Sequence, residues 1–350
     1  HSMPVLISDL WVPQIWIKGV SEKQATFPVV WNSGAVVRSD QLNQIASGGG
    51  ISANVPFFKD MTDQNDEVQV ENTGPSTDNG ITSGIQIAPI LNRVTKNSAT
   101  ALSAAVSGAD PVGQMTMAIA ERRAKQRQKT LIALLRGAFG TSAGAALANA
   151  AVLAGARITA ADESGVGATA NETFSSDLFI NGKALLGELA NELARGAMFV
   201  HSTILASLEK SDAGSFKSGV VSGLPFTVRT YREVPVFVCD SLVRAGTTNG
   251  SVYDTYILAP GVIGYGEKPQ TPDTGETVDV STLQFWADKD KNNQIIYDRT
   301  RFLMHLNGMK WVGTPAAQSA TNAELGTFGN WNLAYSSASR VGAVCILTNA

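Results

Sequence analysis

Ser142 lies in the sequence GTSAG, which matches the G-x-S-x-G pattern around the nucleophilic serine of α/β-hydrolases. That chemistry needs a strand directly before the serine, so that its hydroxyl projects from the edge of a sheet, together with a histidine and an acid. His201 or His305 and Asp254 are the residues that could complete such a triad. The helical pattern before Ser142 continues through residues 130–139, however, and short matches arise by chance in a chain with 33 glycines. A serine hydrolase acting through Ser142 is therefore a distant alternative.

The other residues capable of cofactor or metal chemistry are also poorly spaced for it. Residues 261–266 read GVIGYG, which differs from the G-x-G-x-x-G order of dinucleotide-binding turns. His201 and His305 each lack a second histidine or cysteine at metal-ligand spacing. Cys239 and Cys345 form neither a C-x-x-C motif nor a disulfide framework, which fits a reducing compartment. The sequence thus predicts a protein that is not an enzyme and has no cofactor and no metal ion.

A long helix carries the densest cluster of positive charge. Asp110 as the N-cap, Pro111 at the first helical position and Gly137 at the end predict a helix of about 26 residues, roughly 39 Å long. Its middle, residues 121–130, has no large apolar side chain and is predicted to stay out of the core. The basic residues of this helix are Arg122, Arg123, Lys125, Arg127, Lys129 and Arg136.

Three interpretations of this basic helix are open at the level of sequence. The basic side chains can form a solvated face, pair with an acidic segment of a neighbouring chain, or contact the phosphates of nucleic acid. The chain as a whole has 27 basic and 30 acidic residues, a formal charge of −3, so its entire surface is not expected to bind nucleic acid.

Residues 48–97 are predicted to form an extended β-hairpin. Apolar and polar residues alternate with period two over residues 51–57, and a second alternating run ends at residues 81–87. Acidic residues, including Asp66 and Glu67, lie between the two runs. Because the hairpin has few residues for a core of its own and an isolated two-stranded ribbon is marginally stable, another surface must hold it.

The elements on either side of this hairpin predict a mixed α+β architecture. Residues 3–47 carry single large apolar residues without a persistent period and are predicted to be an arm, and residues 99–106 a short helix. An amphipathic helix capped by Ser175 or Ser176 is predicted to end near Gly196, and another helix begins at Ser202. The predicted strands are residues 198–200, 226–231, 234–238, 253–258, 278–285, 294–304 and 341–347.

The composition indicates a protein whose surface is partly covered by other chains. Charged residues make up 16% of the 350 residues, against about 25% in an average globular chain. No apolar run reaches the 18 or more residues of a membrane-spanning helix, and the opening segment does not resemble a secretory signal. We therefore expect a protein made in a cytoplasm, with no membrane partner.

The order of these features resembles that of the major capsid proteins of tailed bacteriophages, which have the Hong Kong 97-type fold. Residues 55–60 (VPFFKD) resemble the start of the family's extended loop, and the helix from Pro111 resembles its spine helix. Leu306 stands where the family pattern has proline. The segments that resemble the family's apical helices, closing strand and tail are residues 183–187, 200–208, 301–311 and 323–331.

This resemblance implies an α+β fold with an N-terminal arm, an extended β-hairpin loop, a long spine helix in a peripheral domain and a mixed α/β axial domain. The implied peripheral domain includes the spine helix, at about residues 110–137, and is completed by later strands at about residues 275–315. The implied divisions of the chain are the arm at residues 1–47, the extended loop at 48–97, the peripheral domain at 98–175 and the axial domain with the remaining strands at 176–350.

The resemblance also implies a function. The chain is expected to self-assemble into the pentamers and hexamers of an icosahedral phage head that encloses double-stranded DNA. Assembly in the host cytoplasm, residence in the virion, and separate scaffolding, portal and decoration proteins are expected with it. The alternative within the same fold is the shell protein of an encapsulin-type nanocompartment, which encloses an enzyme cargo instead of DNA.

Under the capsid interpretation, two groups of residues are candidates for contacts between subunits or with DNA. One group lies at the start of the extended loop and on its acidic part, and the other lies on the basic helix. The candidates are Phe57, Phe58, Lys59, Asp60, Asp66, Glu67, Arg122, Arg123, Lys125, Arg127 and Lys129.

Overall fold

The fold is given by a computed structural model, and it combines two β-sheets with one long helix and several short ones. The model describes residues 33–59, 71, 81–100, 111–140, 156–162, 169, 171–220, 227–246, 250–272, 279–288 and 293–349. The helices are α1 (Asp40–Ser47), α2 (Pro111–Phe139), α3 (Ser176–Ala184), α4 (Ser202–Ser211) and α5 (Asn322–Leu325). The predicted α+β class is confirmed.

The first sheet has nine strands among the described residues, and two long antiparallel strands organise it. Its strands are β1 (Val36–Arg38), β2 (Ser52–Phe58), β3 (Ser83–Thr100), β11 (Ile263–Glu267), β12 (Thr271–Pro272), β13 (Thr282–Asp288), β14 (Asn293–Leu306), β15 (Met309–Trp311) and β16 (Trp331–Leu333). Strands β3 and β14 pair from Asn293 opposite Thr100 to Leu303 opposite Ile90. Among the described strands, β2 pairs with β3 alone, so it lies at an edge of the sheet.

The second sheet has eight strands and contains much of the apolar core. Its strands are β4 (Arg157–Thr159), β5 (Ala197–Val200), β6 (Phe216–Val220), β7 (Thr227–Tyr231), β8 (Val234–Val238), β9 (Val243–Ala245), β10 (Ser251–Leu258) and β17 (Ala343–Asn349). All seven residues of β17 are buried, because β17 lies between β4 and β10 and carries an almost continuous run of apolar side chains. The hydrophobic core continues from this sheet to the last turns of α2, where Leu131, Leu134 and Leu135 are buried.

The long helix was correctly predicted, and its C-terminal end packs closely against α5. Pro111 opens it as expected, while Asp110, the predicted N-cap, lies outside the described residues. A Cβ atom on Gly137 would lie 1.9 Å from the carbonyl oxygen of Leu325. Glycine therefore stands inside this helix because the backbone of α5 approaches it too closely for any side chain.

The prediction that residues 121–130 stay out of the core was wrong for one face of α2. Arg123, Ala124, Arg127 and Thr130 are buried. Their spacing of one, three or four residues places them on one side of the helix, facing β14. This face is buried despite its charge because its two arginines form ion pairs with carboxylates of the same chain.

Two local predictions also need correction. Residues 99 and 100 belong to strand β3 and not to the predicted helix at 99–106, because β14 supplies hydrogen-bonding partners as far as Thr100. Residues 101–106 lie outside the described residues.

The helix predicted from Ser175 to Gly196 is correctly capped, since the Ser175 hydroxyl accepts from the Leu178 N–H, but it ends at Ala184. Gly187 has φ +56°, and a separate 3-10 helix, Gly187–Arg195, follows.

Part of the predicted arm is folded against the body. Strand β1 pairs in parallel with β11, and α1 packs on β11 and β14. Ala35 and Ala46 are fully buried there. The residues before 33 lie outside the described part, and the proposed domain boundaries stay predictions.

Candidate functional site

The first candidate surface is the ribbon that β2 forms with the beginning of β3. The two strands are in antiparallel register from Ser52 opposite Pro89 to Phe58 opposite Ser83. Phe58 is 79% exposed, and Ile81 and Ile85 are exposed as well. Large apolar side chains exposed together on a two-stranded edge ribbon are typical of a surface that another chain covers.

The base of this ribbon is fixed to the body on the opposite face. The rings of Phe57 and Tyr335 form an edge-to-face pair with centroids 5.2 Å apart. Gly84 lies under the Phe57 ring, since a Cβ atom at Gly84 would be 2.5 Å from Phe57 Cζ. The Lys59 N–H donates to the Thr82 carbonyl oxygen, so the ribbon is still paired at the last described residue of this strand.

A cleft of about 1120 Å³ separates the ribbon from the rest of the molecule. It is bounded by Phe57, Phe58 and Lys59 on one side and by the start of the 3-10 helix, Gly187 to Leu189, on the other. Three of the sequence-predicted contact residues therefore lie side by side at one opening. Asp60, Asp66 and Glu67, the remaining predicted residues of this loop, lie outside the described residues.

Where the ribbon joins the first sheet, a buried polar pair connects β3 to β14. His305 Nε2 lies 2.5 Å from Gln86 Oε1, which also accepts the Gly308 N–H at 3.2 Å. Because Oε1 is the acceptor in both bonds, Nε2 carries the proton, and the buried Nδ1 has no partner. Burial lowers the pKa of His305 to about 4, so the imidazole is neutral at neutral pH. This environment fits a structural histidine.

The second candidate surface is the basic helix α2, and two of its arginines are buried in ion pairs within the chain. Arg123 binds Asp298 of β14 through two hydrogen bonds, Nε to Oδ2 at 2.9 Å and Nη2 to Oδ1 at 2.5 Å. Both side chains are buried. Gln270 Oε1 accepts a further hydrogen bond from Arg123 at 2.8 Å. Arg123 therefore joins the helix to the sheet, and it does not face DNA or a neighbouring subunit as predicted.

Arg127 makes the second buried connection. Its Nη2 donates to Glu267 Oε1 at 2.9 Å, and its Cζ lies 3.2 Å from the centroid of the Phe302 ring. The Tyr265 hydroxyl donates to the other oxygen of Glu267 at 2.5 Å. Burial lowers the pKa of Arg127, but the interactions with Tyr265 and with the Glu267 carboxylate more than offset this, and the pKa lies above its ordinary value. The prediction of an outward-facing residue was wrong here too.

The remaining predicted residues of α2 do reach the surface. Lys125 and Lys129 are exposed, and Lys125 pairs with Glu121 one turn earlier at 2.8 Å. Arg122 is half-buried, and its Nε atom is buried without a hydrogen-bond partner. The basic face available to another molecule is thus smaller than the sequence predicts.

Asp254, the acid considered for a catalytic triad, is part of a third buried ion-pair cluster. Its carboxylate is fully buried in β10 and accepts from Arg136 Nε at 2.8 Å and from Arg244 Nε at 3.1 Å. His201 instead caps α4, where its Nδ1 accepts the Thr203 N–H. Residues 130–139 are helical as predicted, and Ser142 itself lies outside the described residues.

The sequence analysis missed Asp298 and Glu267, and it considered Asp254 only as the acid of a catalytic triad. Asp254 and Asp298 stand beside apolar residues within strands, in the stretches SVYDTYIL and NQIIYDRTRFLMHL. A carboxylate at a buried strand position requires a cation or several donors beside it. That signal was present in the sequence, but it does not reveal which of the 27 basic residues is the partner.

The described residues contain no group of three or more His, Cys, Asp or Glu residues placed to hold a metal ion. No helix within them is long and apolar enough to span a membrane.

Comparisons with known proteins connect this architecture to viral shells. No protein-family model matches the chain. It is 27% identical over 334 residues to the major capsid protein of Bacillus phage SPP1. This alignment covers 94% of each of the two chains. Its structure is similar to the capsid of Ralstonia phage GP4, with a TM-score of 0.59, 9% identity and coverage of 91% of this chain and 88% of the other. It is also similar to the capsid of Cyanophage Pam1, with a TM-score of 0.57, 11% identity and coverage of 94% and 92%. The expected Hong Kong 97-type fold is confirmed.

Proposed function

We propose that this chain is the major capsid protein of a tailed bacteriophage, which assembles into the pentamers and hexamers of an icosahedral shell around double-stranded DNA. The observation that carries the proposal is the similarity to the SPP1 major capsid protein, which extends over 94% of both chains. It is a structural protein of the virion. The nanocompartment and hydrolase alternatives are not favoured.

The exposed ribbon supports this function physically. A two-stranded ribbon with exposed Phe58 and Ile81 is more stable when a second copy covers its apolar residues. Each such contact is modest, but every subunit of a shell makes it several times. Repeated contacts of this kind give a closed shell a stability that no single interface has.

Contacts with DNA are assigned to the exposed part of α2. Lys125 and Lys129 present positive charge at the surface, and contacts with phosphates need only such charge and no base recognition. Scaffolding, portal and decoration proteins are further proposed partners, and the host cytoplasm is the proposed place of assembly. The ribbon adjusts its conformation as the shell matures, and no covalent chemistry is required.

Assembly is tested with the purified full chain. Negative-stain electron microscopy and light scattering across protein and salt concentration are expected to show capsomer rings or closed shells. A chain that stays monomeric under every condition, including in the presence of its co-expressed scaffolding protein, would contradict the proposal.

The role of the ribbon is tested by Phe58→Ser. The variant is expected to remain folded by circular dichroism, because Phe58 contributes little to the core of its own chain, but to assemble poorly. Phe58→Leu is the matched control, since it keeps an apolar side chain at the same position, and it is expected to assemble. Normal shells from the serine variant would exclude Phe58 from the contact.

The role of the helix in holding DNA is tested by the double variant Lys125→Glu and Lys129→Glu. Shells are expected to form but to retain less DNA, as measured by the ratio of absorbance at 260 and 280 nm of purified heads. Lys210→Glu, which reverses an exposed lysine at the end of α4, serves as the control. Equal DNA content in all three preparations would show that the exposed face of α2 is only solvated.

A further inference from the structure

A second, smaller cavity lies between α2 and strands β3 and β14. Its volume is about 150 Å³, well above the roughly 10–15 Å³ that admits a single water molecule. Its side-chain donors include Thr130 and Asn322. Four arginines line it, and they are Arg93, Arg122, Arg123 and Arg127.

The carboxylates around this cavity do not neutralise all four arginines. Asp298 lines the cavity and is held by both donors of Arg123, and Glu267 is held by Arg127. Glu324 acts on Arg93 only at a distance, because its oxygens accept hydrogen bonds from Thr321 and from the Ala316 N–H. The four arginines thus have three carboxylates near them, and one of these, Glu324, accepts its hydrogen bonds from other groups.

Several guanidinium donors therefore have neutral partners or none. Arg93 donates to the Ser319 hydroxyl at 3.1 Å and to the Ala320 carbonyl at 2.7 Å. The Nε atoms of Arg122 and Arg127 are buried and have no hydrogen-bond partner. A buried donor without an acceptor is costly, especially when it carries charge.

The pKa shifts of these arginines also indicate positive charge without a matching anion. Burial lowers the pKa of Arg122, and the neighbouring charge of Arg123 lowers it further against the opposing effect of Asp298. Burial also lowers the pKa of Arg93, with an additional contribution from the charge of Arg127. Positive charge at both side chains is thus incompletely compensated, and an anion in the cavity would compensate it.

We propose that this cavity is a binding site for a phosphate-sized oxyanion, held by Arg93, Arg122 and Arg127. Guanidinium groups suit phosphate because they present several N–H donors in a plane that matches its oxygens. The bound ion would accept from the buried Nε atoms and would connect α2 to β3 by bridging Arg122 and Arg93. The site is distinct from the exposed lysines of α2 and does not depend on shell assembly.

The direct test is titration of the purified full chain with inorganic phosphate in a chloride buffer at constant ionic strength, followed by calorimetry. Saturable binding is expected. Arg122→Gln is expected to weaken it by about tenfold or more, since one charge-assisted donor pair is lost. Lys210→Gln removes the same charge from an exposed position at the end of α4 and is expected to bind phosphate as the unaltered chain does.

Thermal unfolding provides a second readout that a merely structural role of Arg122 would not give. In phosphate-free buffer Arg122→Gln is expected to unfold at a higher temperature than the unaltered chain, because an uncompensated buried charge is removed. Phosphate is expected to raise the unfolding temperature of the unaltered chain and of Lys210→Gln, but not of Arg122→Gln. Equal phosphate effects in all three proteins, or an effect that never saturates, would overturn the proposal.

The source of the phosphate group is distinguished by competition. If a double-stranded oligonucleotide displaces inorganic phosphate from the chain, the site accepts a backbone phosphate of packaged DNA. If phosphate binding is unchanged at saturating oligonucleotide, the site holds a free ion. Arg93→Gln provides an independent variant on the other wall of the cavity, and undiminished phosphate binding by it would also argue against the site.

Discussion

The ribbon and the eight-stranded sheet represent two opposite ways of using apolar residues. In the ribbon, Phe58 is 79% exposed and Ile85 54% exposed, although both belong to a segment of regular pairing. In the eight-stranded sheet, every residue of β17 is buried. The sheet therefore completes its packing within one chain, whereas the ribbon leaves apolar surface that, in the proposed shell, a second copy covers. Stability of the subunit and stability of the shell are consequently determined by different residues.

The charged residues likewise fall into a buried group and an exposed group. Asp254, Asp298 and Glu267 each pair with arginines inside the chain, and these pairs connect α2 to both sheets. Lys125 and Lys129 remain outside. Changes to the buried pairs should therefore damage the subunit, and changes at the exposed residues of the ribbon, such as Phe58, should damage mainly assembly.

The largest effect is expected from Asp254→Asn. The substitution leaves Arg136 and Arg244 beside a neutral amide in a site where the original side chain is fully buried. Removing one partner of a buried ion pair typically costs about 3–5 kcal/mol. Urea denaturation of the dissociated subunit should show a lower midpoint at an unchanged slope.

Glu192→Gln is the matched control for this substitution. It makes the same chemical change at an exposed position of the 3-10 helix, where about 0.5 kcal/mol or less is expected. Equal urea midpoints for Asp254→Asn and Glu192→Gln would contradict the inference that the buried charge stabilises the subunit and the exposed one does not.

A somewhat smaller effect is expected from acidification through His305, at the junction of ribbon and body. Its pKa is lowered to about 4 in the folded chain, against 6.5 in the unfolded chain. Between these values the unfolded chain binds the extra proton, so stability falls as the pH decreases from 6.5 to 4. The loss amounts to about 3 kcal/mol. Denaturation midpoints across this pH range measure it.

The control for this pH dependence is His305→Gln, which keeps an N–H donor for Gln86 but does not titrate. Carboxylates titrate equally in both proteins, so the difference between the two pH profiles isolates His305. Parallel profiles between pH 6.5 and 4 would mean that the imidazole is not the group responsible.

The smallest effects are expected within the ribbon, where neighbouring phenylalanines face opposite sides. Phe57→Ala loses the edge-to-face contact with Tyr335 and is expected to destabilise the subunit by about 1–2 kcal/mol. Phe58→Ala removes an exposed ring and is expected to cost about 0.5 kcal/mol or less. Denaturation of both dissociated variants, compared with their assembly by light scattering, should give opposite rankings. A larger loss of subunit stability for Phe58→Ala would reverse the assignment of the two faces.

Local sequence signals were sufficient for elements that are stabilised locally. Helix α2 follows from Pro111 and an uninterrupted helical segment, and the Ser175 cap correctly marks the start of α3. The prediction of a helix from residue 99 failed because the pairing that extends β3 to Thr100 comes from β14, nearly 200 positions away in the chain.

The candidate site was predictable only in part for the same reason. The sequence identifies α2 as basic, but it does not distinguish Arg123 and Arg127, which bind acids of distant strands, from Lys125 and Lys129, which face outward. Helical spacing indicates which residues share a face, but not which face the sheet covers.

The sequence by itself determined the α+β class, the long basic helix, the extended hairpin and the resemblance to tailed-phage capsid proteins. These features depend on residue order, periodicity and composition within short stretches. Only the tertiary structure decided which charges are buried, how His305 is held neutral and where four arginines surround a cavity. Those properties depend on contacts between residues far apart in the chain, because desolvation and ion pairing are set by what packs around a side chain and not by its neighbours in sequence.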